Sequence, residues 1–363
     1  MKVKVTQNNL NQALSAVARV ADSKGTLPVL ANILIKVTDN SLMVSATNLD
    51  IGITKFVGAK IDQPGSITVP AGLITSFVSS LPSSVINLDL DEKKLKITTD
   101  QYDCVINGIA AEEFPIIPHI EKGKTININA KQFKRALQQV LFAVSTNESR
   151  PVLTGVMLYS DNKKLYMVAT DSSRLSESYV SDTTEQVKIL VPATAMNDLL
   201  RVIDDSVETI TITEDSQQAL FKFNETELIS RLLESNYPDY KNLIPKNFEF
   251  KAKLKRADLL NIVKVSSLFA KETAGSITVE LDETDKLVRI KSLASQVGEN
   301  SATAKGTIVG SGSITLNSKF LIEAINSFDC EDIEFNFNSK IEPVLIKNPK
   351  DNSYLHIIMP LKA

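Results

Sequence analysis

Residues able to do acid–base or nucleophilic work are present in this chain, but nowhere in a catalytic pattern. The nearest approach is Asp171 with Arg174, inside Ala169-Thr170-Asp171-Ser172-Ser173-Arg174-Leu175. A carboxylate three residues from a guanidinium could grip an anion or orient a proton acceptor. The same spacing suits a tight turn, because aspartate readily hydrogen-bonds its own backbone two residues on. A turn is the expected role. His119 and His356, the two histidines, fall in a linker and in a strand, with no metal-ligand spacing around either. Cys104 and Cys330 are far apart and read as small core residues. Gly310-Ser311-Gly312 is a short glycine-rich turn before a strand. The glycine-lysine-serine/threonine signature of a P-loop is absent, which argues against nucleotide hydrolysis. Carboxylates are plentiful but dispersed. No catalysis, cofactor or metal is expected.

The elements that carry these residues must form more than one domain. At 363 residues, two or three domains are expected. A composition 43% hydrophobic and 23% charged supplies apolar material for several cores. No run of about 18 apolar residues is long enough to span a membrane. Met1-Lys2-Val3-Lys4-Val5-Thr6 alternates as a strand does and lacks the apolar centre of a signal peptide. With two cysteines, a disulfide framework is not expected. A cytoplasmic location is expected. The net charge of −3 argues at first against nucleic acid, but affinity depends on the face that meets the phosphates.

The chain repeats itself at about 123 residues. Leu10, Ala13, Leu14 and Val17 mark one helix face, and Phe133, Ala136, Leu137 and Val140 return at the same offsets. Pro28 and Pro151 recur in register, and so do Ala46-Thr47-Asn48 and Ala169-Thr170-Asp171. A third copy opens near Asp258-Leu259-Leu260 with a looser stripe that Ser266 interrupts. A second helix is firmer: Ile74, Phe77, Val78 and Leu81 recur as Met196, Leu199, Leu200 and Ile203, then as Leu321, Ala324, Ile325 and Phe328. Between the helices lie period-two runs such as Ile86-Asn87-Leu88-Asp89-Leu90 and Ile333-Glu334-Phe335-Asn336-Phe337. Each copy therefore has two helices and roughly eight strands. The expected class is α+β, three similar domains with the helices on one side of antiparallel sheets. Boundaries are expected at residues 1–121, 122–246 and 247–363, within polar, proline-containing stretches.

The outward helix faces are biased in charge. Residues 7–21 and 130–147 contain no Asp or Glu, although the whole chain has 43. The six helical segments carry nine basic and three acidic residues, so the rest of the chain is about −9. Arg19, Lys131, Lys134, Arg135, Arg201, Lys255, Arg256 and Lys264 are the expected contacts to duplex DNA. Amides, hydroxyls and cations without carboxylates suit sequence-blind contact with phosphate oxygens. The same residues also fit a multidomain interaction scaffold whose basic helices bind acidic proteins.

The order and spacing of Thr26-Leu27-Pro28-Val29-Leu30, Val168-Ala169-Thr170-Asp171 with Arg174-Leu175, Tyr237-Pro238-Asp239-Tyr240 with Ile244-Pro245-Lys246, and Ile358-Met359-Pro360-Leu361 resemble the bacterial β sliding clamp family along the whole chain. The resemblance implies a head-to-tail homodimeric ring of six domains, a processivity factor of a replicative polymerase that catalyses nothing. Twelve helices spaced about 10 Å apart give about 38 Å between opposite axes. Subtracting about 5 Å of helix radius on each side leaves about 28 Å, enough for a duplex of about 20 Å.

By the same resemblance, Lys24 and Arg150 sit in loops near the duplex. Cys104 and Ile106 on an edge strand meet Leu268 and Phe269 of the other subunit. A pocket for short linear peptides from the polymerase, the clamp loader and repair proteins is lined by Leu153, Thr170, Arg174, Leu175, Pro238, Leu243, Asn317, Phe320, Ile341, Pro343, Ile357, Ile358, Met359, Pro360 and Leu361. An apolar cleft with a few polar groups is what an extended peptide with apolar anchors needs. Three departures bear on peptide preference and loop contacts. Ser173 stands where a histidine often precedes the arginine, Asn242 where some members have arginine, and Lys24-Gly25 replaces an Arg-Pro pair.

Overall fold

In the computed structural model, described for all residues except 22–26, 121, 235, 295–297 and 362–363, the chain forms two compact units. One comprises Met1–Ala130 with Asn197–Leu232, the other Lys131–Met196 with Leu233–Ala363. The middle copy of the repeat is thus shared between them. Hydrogen bonding gives the reason.

In the first unit an eight-stranded sheet joins strands of the first copy to strands of the second. The junction is an antiparallel ladder between Ile51–Val57 and Thr226–Arg231, with Lys55 opposite Thr226 and Ile51 opposite Ser230. A five-stranded sheet completes this unit and ends on the edge strand Asp103–Asn107. In the second unit a twelve-stranded sheet joins the other half of the middle copy to the third. There Arg174–Asp182 pairs with Asp351–Ile358, Arg174 opposite Ile358 and Ser178 opposite Tyr354. Every ladder among the described residues is antiparallel, as the period-two runs predict.

Among the described residues, six α-helices lie on these sheets: α1 (Gln7–Val17), α2 (Ala71–Ser80), α3 (Ala130–Val140), α4 (Ala193–Val202), α5 (Arg256–Phe269) and α6 (Ser318–Asn326). Each packs the stripe expected of it inward. In α1 the Thr6 hydroxyl caps the helix by accepting from the Asn9 N–H, and Leu10, Ala13, Leu14 and Val17 are fully buried. That face packs on two strands of the eight-stranded sheet, Leu42–Thr47 and Ile51–Val57, while Ser15 faces solvent. Pro70 is the N-cap residue of α2, so Ala71 is the first helical residue. Ser266 does not break the α5 stripe. It is buried in line with Leu259 and Val263, and the Asn300 side chain donates to its hydroxyl at 2.8 Å, so a small polar residue continues the face once its hydroxyl is paired. No described helix is long and apolar enough to cross a membrane.

Deleting most of a fully buried side chain on α1 leaves a hole against the sheet. Leu14→Ala is expected to destabilise the first unit by about 2–5 kcal/mol, measured as an earlier first transition in urea unfolding monitored by circular dichroism.

Candidate partner-peptide pocket and basic helix faces

The turn around Asp171 has a twin in the first copy. The Asn48 side chain accepts from the N–H groups of Asp50 and Ile51, and the Asp171 side chain accepts from those of Ser173 and Arg174. The Thr47 hydroxyl donates to the Ile51 carbonyl, and the Thr170 hydroxyl to that of Arg174. Leu49 and Ser172 both take positive φ, 78° and 76°. The turn role expected of Asp171 is what the structure has. The copies differ in the residue that closes the turn, Ile51 in one and Arg174 in the other.

Arg174 is held on every side. Its Nε donates to Asp171 Oδ2 at 3.0 Å, its Nη1 to Glu323 of α6, and its Nη2 to the Phe142 carbonyl at 2.7 Å. The guanidinium lies 4.4 Å from the Phe320 ring centroid and 5.3 Å from that of Phe142. Two carboxylates and a carbonyl offset the desolvation of this cation. The arrangement fixes Phe320 and a cationic centre beside the last strand.

Several expected pocket residues gather around it. Ile358 lies opposite Arg174 and Val344, and Leu175 opposite Ile357. The Met359 N–H donates to Ser173, and the Leu361 N–H to Thr315, which ties down a segment that would otherwise fray. Leu153, Leu175, Ile357 and Ile358 are buried, and Thr170 serves the turn. Asn317 is the α6 cap, accepting from the N–H groups of Lys319 and Phe320, so its part is to aim Phe320. Pro343 and Pro360 are half-buried, Met359 and Pro238 more open. Leu243 (58% exposed) and Ile341 (79%) present apolar side chains to solvent on short turns. The motifs do not single out Glu323, Phe142 or Glu177. Glu323 does leave a signal, as an acid on a helix family otherwise rich in cations.

Beside Arg174, His356 is fully buried, stacked on Phe142 with ring centroids 5.5 Å apart, and its Nδ1 lies 2.7 Å from the Ser176 hydroxyl. Burial first, then the Arg174 charge, holds this imidazole down at about 3. Tyr354, which shares the network with Ser176 and Ser327, is pushed up to about 12 by burial.

Among the basic candidates, Arg19, Lys131, Lys264, Arg150 and Arg201 are exposed, and Lys134 is partly so. Arg135 on α3 lies near enough to Asp351 to help hold that carboxyl below its usual range, after the hydrogen bond from Ser353. Arg150 also donates to the Ser172 hydroxyl at 3.3 Å. Lys255 and Arg256 are engaged by their surroundings. Lys255 ends a strand rather than facing out of a helix and is ion-paired with Glu331 and Asp332. Arg256 is half-buried and donates to the Cys330 carbonyl at 3.1 Å. Lys24 lies outside the described residues. Of the interface candidates, Leu268 is 61% exposed and Phe269 half-buried on α5. Ile106 turns its side chain inward. It is 2% exposed, because alternation along the edge strand turns it into the core and leaves Val105 (54%) facing out. Cys104 is half-buried.

Models of the DNA polymerase III beta subunit match almost end to end: the N-terminal domain at residues 1–118, the central domain at 127–239 and the C-terminal domain at 241–362. The chain belongs to the DNA polymerase III beta subunit family. The beta sliding clamp of Staphylococcus epidermidis is 29% identical over 369 residues, covering 98% of this chain and 97% of that one. The solved sliding clamp of Bacillus subtilis superposes with a TM-score of 0.95 at 26% identity, over 100% and 99% of the two chains. The beta subunit of Thermotoga maritima gives 0.93 at 26% identity, with the same coverage. The chain is accordingly a three-domain α+β DNA sliding clamp for processive replication, a non-catalytic subunit whose family works with DNA, polymerase and repair proteins as a dimer.

Two outcomes are expected. Between pH 6.5 and about 3 the unfolded chain binds a proton at His356 that the folded clamp refuses. Stability should therefore fall on acidification through that window by about 1.4 kcal/mol per pH unit, and His356→Gln should remove that component of the slope in denaturant titrations. Arg174→Met strands the Phe142 carbonyl and Glu323. It should cost about 2 kcal/mol, read by urea unfolding of the second unit.

Proposed function

We propose that two copies close head to tail into a ring around duplex DNA, and that the edge strands carry the closure. Each junction between copies inside the chain obeys one rule. The strand after the Thr47/Thr170 turn pairs with the last strand of the next copy: Ile51–Val57 with Thr226–Arg231, and Arg174–Asp182 with Asp351–Ile358. Two strands are left over. The first copy's last strand, Asp103–Asn107, is an edge. The third copy's equivalent of Arg174–Asp182 is Gly298–Val309, which pairs with Leu287–Ala294 over residues 298–305 and meets Phe250–Lys255 only from Gly306 onward. Residues 298–305 thus offer an open edge among the described ladders.

Exposed edges invite pairing. Joining Asp103–Asn107 of one subunit to residues 298–305 of the other repeats the internal rule, and a head-to-tail contact that recurs after two copies closes. Exposed apolar side chains accompany both edges, Tyr102 and Val105 in one unit and Val265, Leu268 and Leu293 in the other. Cys104 and Ile106 then contribute main chain, and Leu268 and Phe269 side chains.

In such a ring the carboxylate-poor helix faces line the passage. Arg19, Lys131, Lys134, Arg135, Arg201 and Lys264 meet phosphates loosely, as do Lys24 and Arg150. Lys255 and Arg256 act after exchanging their present partners. Retention is topological, so the contacts need only be weak and sequence-blind. The pocket around Arg174, Phe320 and Met359 takes linear peptides of the polymerase, the clamp loader and repair proteins. The domains run 1–121, 122–246 and 247–363, and the protein works in the cytoplasm.

With a cysteine introduced singly at residues 299–302, mild oxidation should link it to Cys104 of the second subunit in at least one variant. The linked ring should stay on circular DNA after loading and leave on linearisation. The absence of any interchain link, or equal retention on linear DNA, would sink the reading. Leu268→Asp should weaken the dimer by roughly tenfold or more, seen as monomer in sedimentation.

A further inference from the structure

Apart from the short strand Lys60–Gln63, the first two copies correspond strand for strand, which makes one difference between them informative. Ladder partners map Leu34 to Met157, Lys36 to Tyr159, Met43 to Tyr166, Thr54 to Glu177 and Phe56 to Tyr179. These residues lie on the sheet face opposite the buried Ile33, Ile35, Val44 and Ile53. The linker after each copy crosses that face, with Phe114-Pro115-Ile116-Ile117 corresponding to Tyr237-Pro238-Asp239-Tyr240.

In the second copy this face is filled from within. The Tyr240 ring meets Tyr159 edge-on at 6.4 Å, and Tyr159 stacks on Tyr166 at 5.4 Å. The hydroxyls of Tyr159 and Tyr240 lie 2.6 Å apart and both reach the Glu177 carboxylate. In the first copy none of these phenols is present. Ile117 stands for Tyr240, Lys36 for Tyr159 and Thr54 for Glu177. A cleft of about 460 Å³ opens there, lined in part by Leu34, Met43, Phe56, Phe114 and Ile117. At its lip Ile116 is 94% exposed, where the second copy has the solvated Asp239. A carboxylate is also there: Glu227 sits opposite Thr54 in the ladder, lines the cleft and accepts from Lys222 at 2.9 Å on one of its oxygens.

We infer that this cleft is a second docking site, distinct from the Arg174 pocket, which receives a tyrosine side chain from an extended segment of a partner protein. The chain itself indicates the occupant. The fold position that an internal tyrosine fills in the second copy holds the shorter Ile117 beside the cleft in the first, with an apolar lip in place of a polar one and an acceptor carboxylate supplied from the neighbouring strand. Ile116 and Pro115 cover the ring, Met43 and Phe56 pack beneath it, and Glu227 accepts a hydrogen bond from the phenol. Ring closure is not required for this site.

The test uses the full-length protein with N-acetyl-tyrosinamide as probe, read by NMR of the Met43, Ile116 and Ile117 methyl groups. Tyrosinamide should shift these signals saturably, with half-saturation in roughly the millimolar range, and N-acetyl-leucinamide should bind roughly tenfold more weakly or less. Ile117→Tyr with Thr54→Glu rebuilds the second copy's arrangement and should abolish the response. Ile116→Asp, a change at a solvent-exposed side chain that the fold tolerates, should weaken it several-fold. Unsaturable shifts, an equal response to leucinamide, or undiminished binding in Ile116→Asp would each overturn the assignment. Should the double variant fail to fold, Ile116→Asp alone decides.

Discussion

Main-chain hydrogen bonding between edge strands of successive copies is the constraint on which the rest of this clamp hangs. A copy ends in a strand whose outer N–H and C=O groups must find partners or stay wet. Inside the chain they find the next copy, at Ile51–Val57 and again at Arg174–Asp182. Because the rule is the same each time, a sheet in either unit runs on unbroken from one copy into the next, and helices from different copies pack on it. Helix faces of one character are thereby gathered from segments far apart in sequence. Charge alone could not organise them, since the chain is acidic overall.

The Arg174 site shows how a repeat is specialised without disturbing its scaffold. The turn that carries it is the turn at Asn48, down to the left-handed residue and the threonine hydroxyl. Replacing Ile51 by arginine at the equivalent place inserts a cation whose neutralisation needs Asp171 from its own turn and Glu323 from a helix of the third copy. The pocket therefore belongs to a junction between copies. It ties the surface proposed to receive peptides to α6, where the exposed Lys319 stands one turn before Glu323.

The helices, their buried faces and the triplication are legible in the sequence because they rest on local period and on recurrence at fixed distance. Pairing between copies is not, because period two assigns a strand its faces but not its neighbours. Ile106 illustrates the difference: the segment is recognisable as an edge, yet a shift of one position along it decides whether a side chain joins the interface or the core. Arg174 is legible from its motif, whereas its partner Glu323, 149 residues away, has no local mark tying it to that arginine. Ser266 reads as an interruption because its acceptor role depends on Asn300, from a strand the helix meets only after folding. Lys255 and Arg256 read as free cations for the same reason, since Glu331, Asp332 and the Cys330 carbonyl come to them through the tertiary fold.

The sharing of the middle copy between both compact units has a consequence for how such a molecule could be taken apart. Half of that copy is stitched into the eight-stranded sheet and half into the twelve-stranded one. Cutting the gene at its points of duplication would yield fragments with raw margins, prone to stick to one another. Scissions that respect the weave would have to pass through the middle of a repeat, so the modules of inheritance and the modules of folding are different objects in this chain.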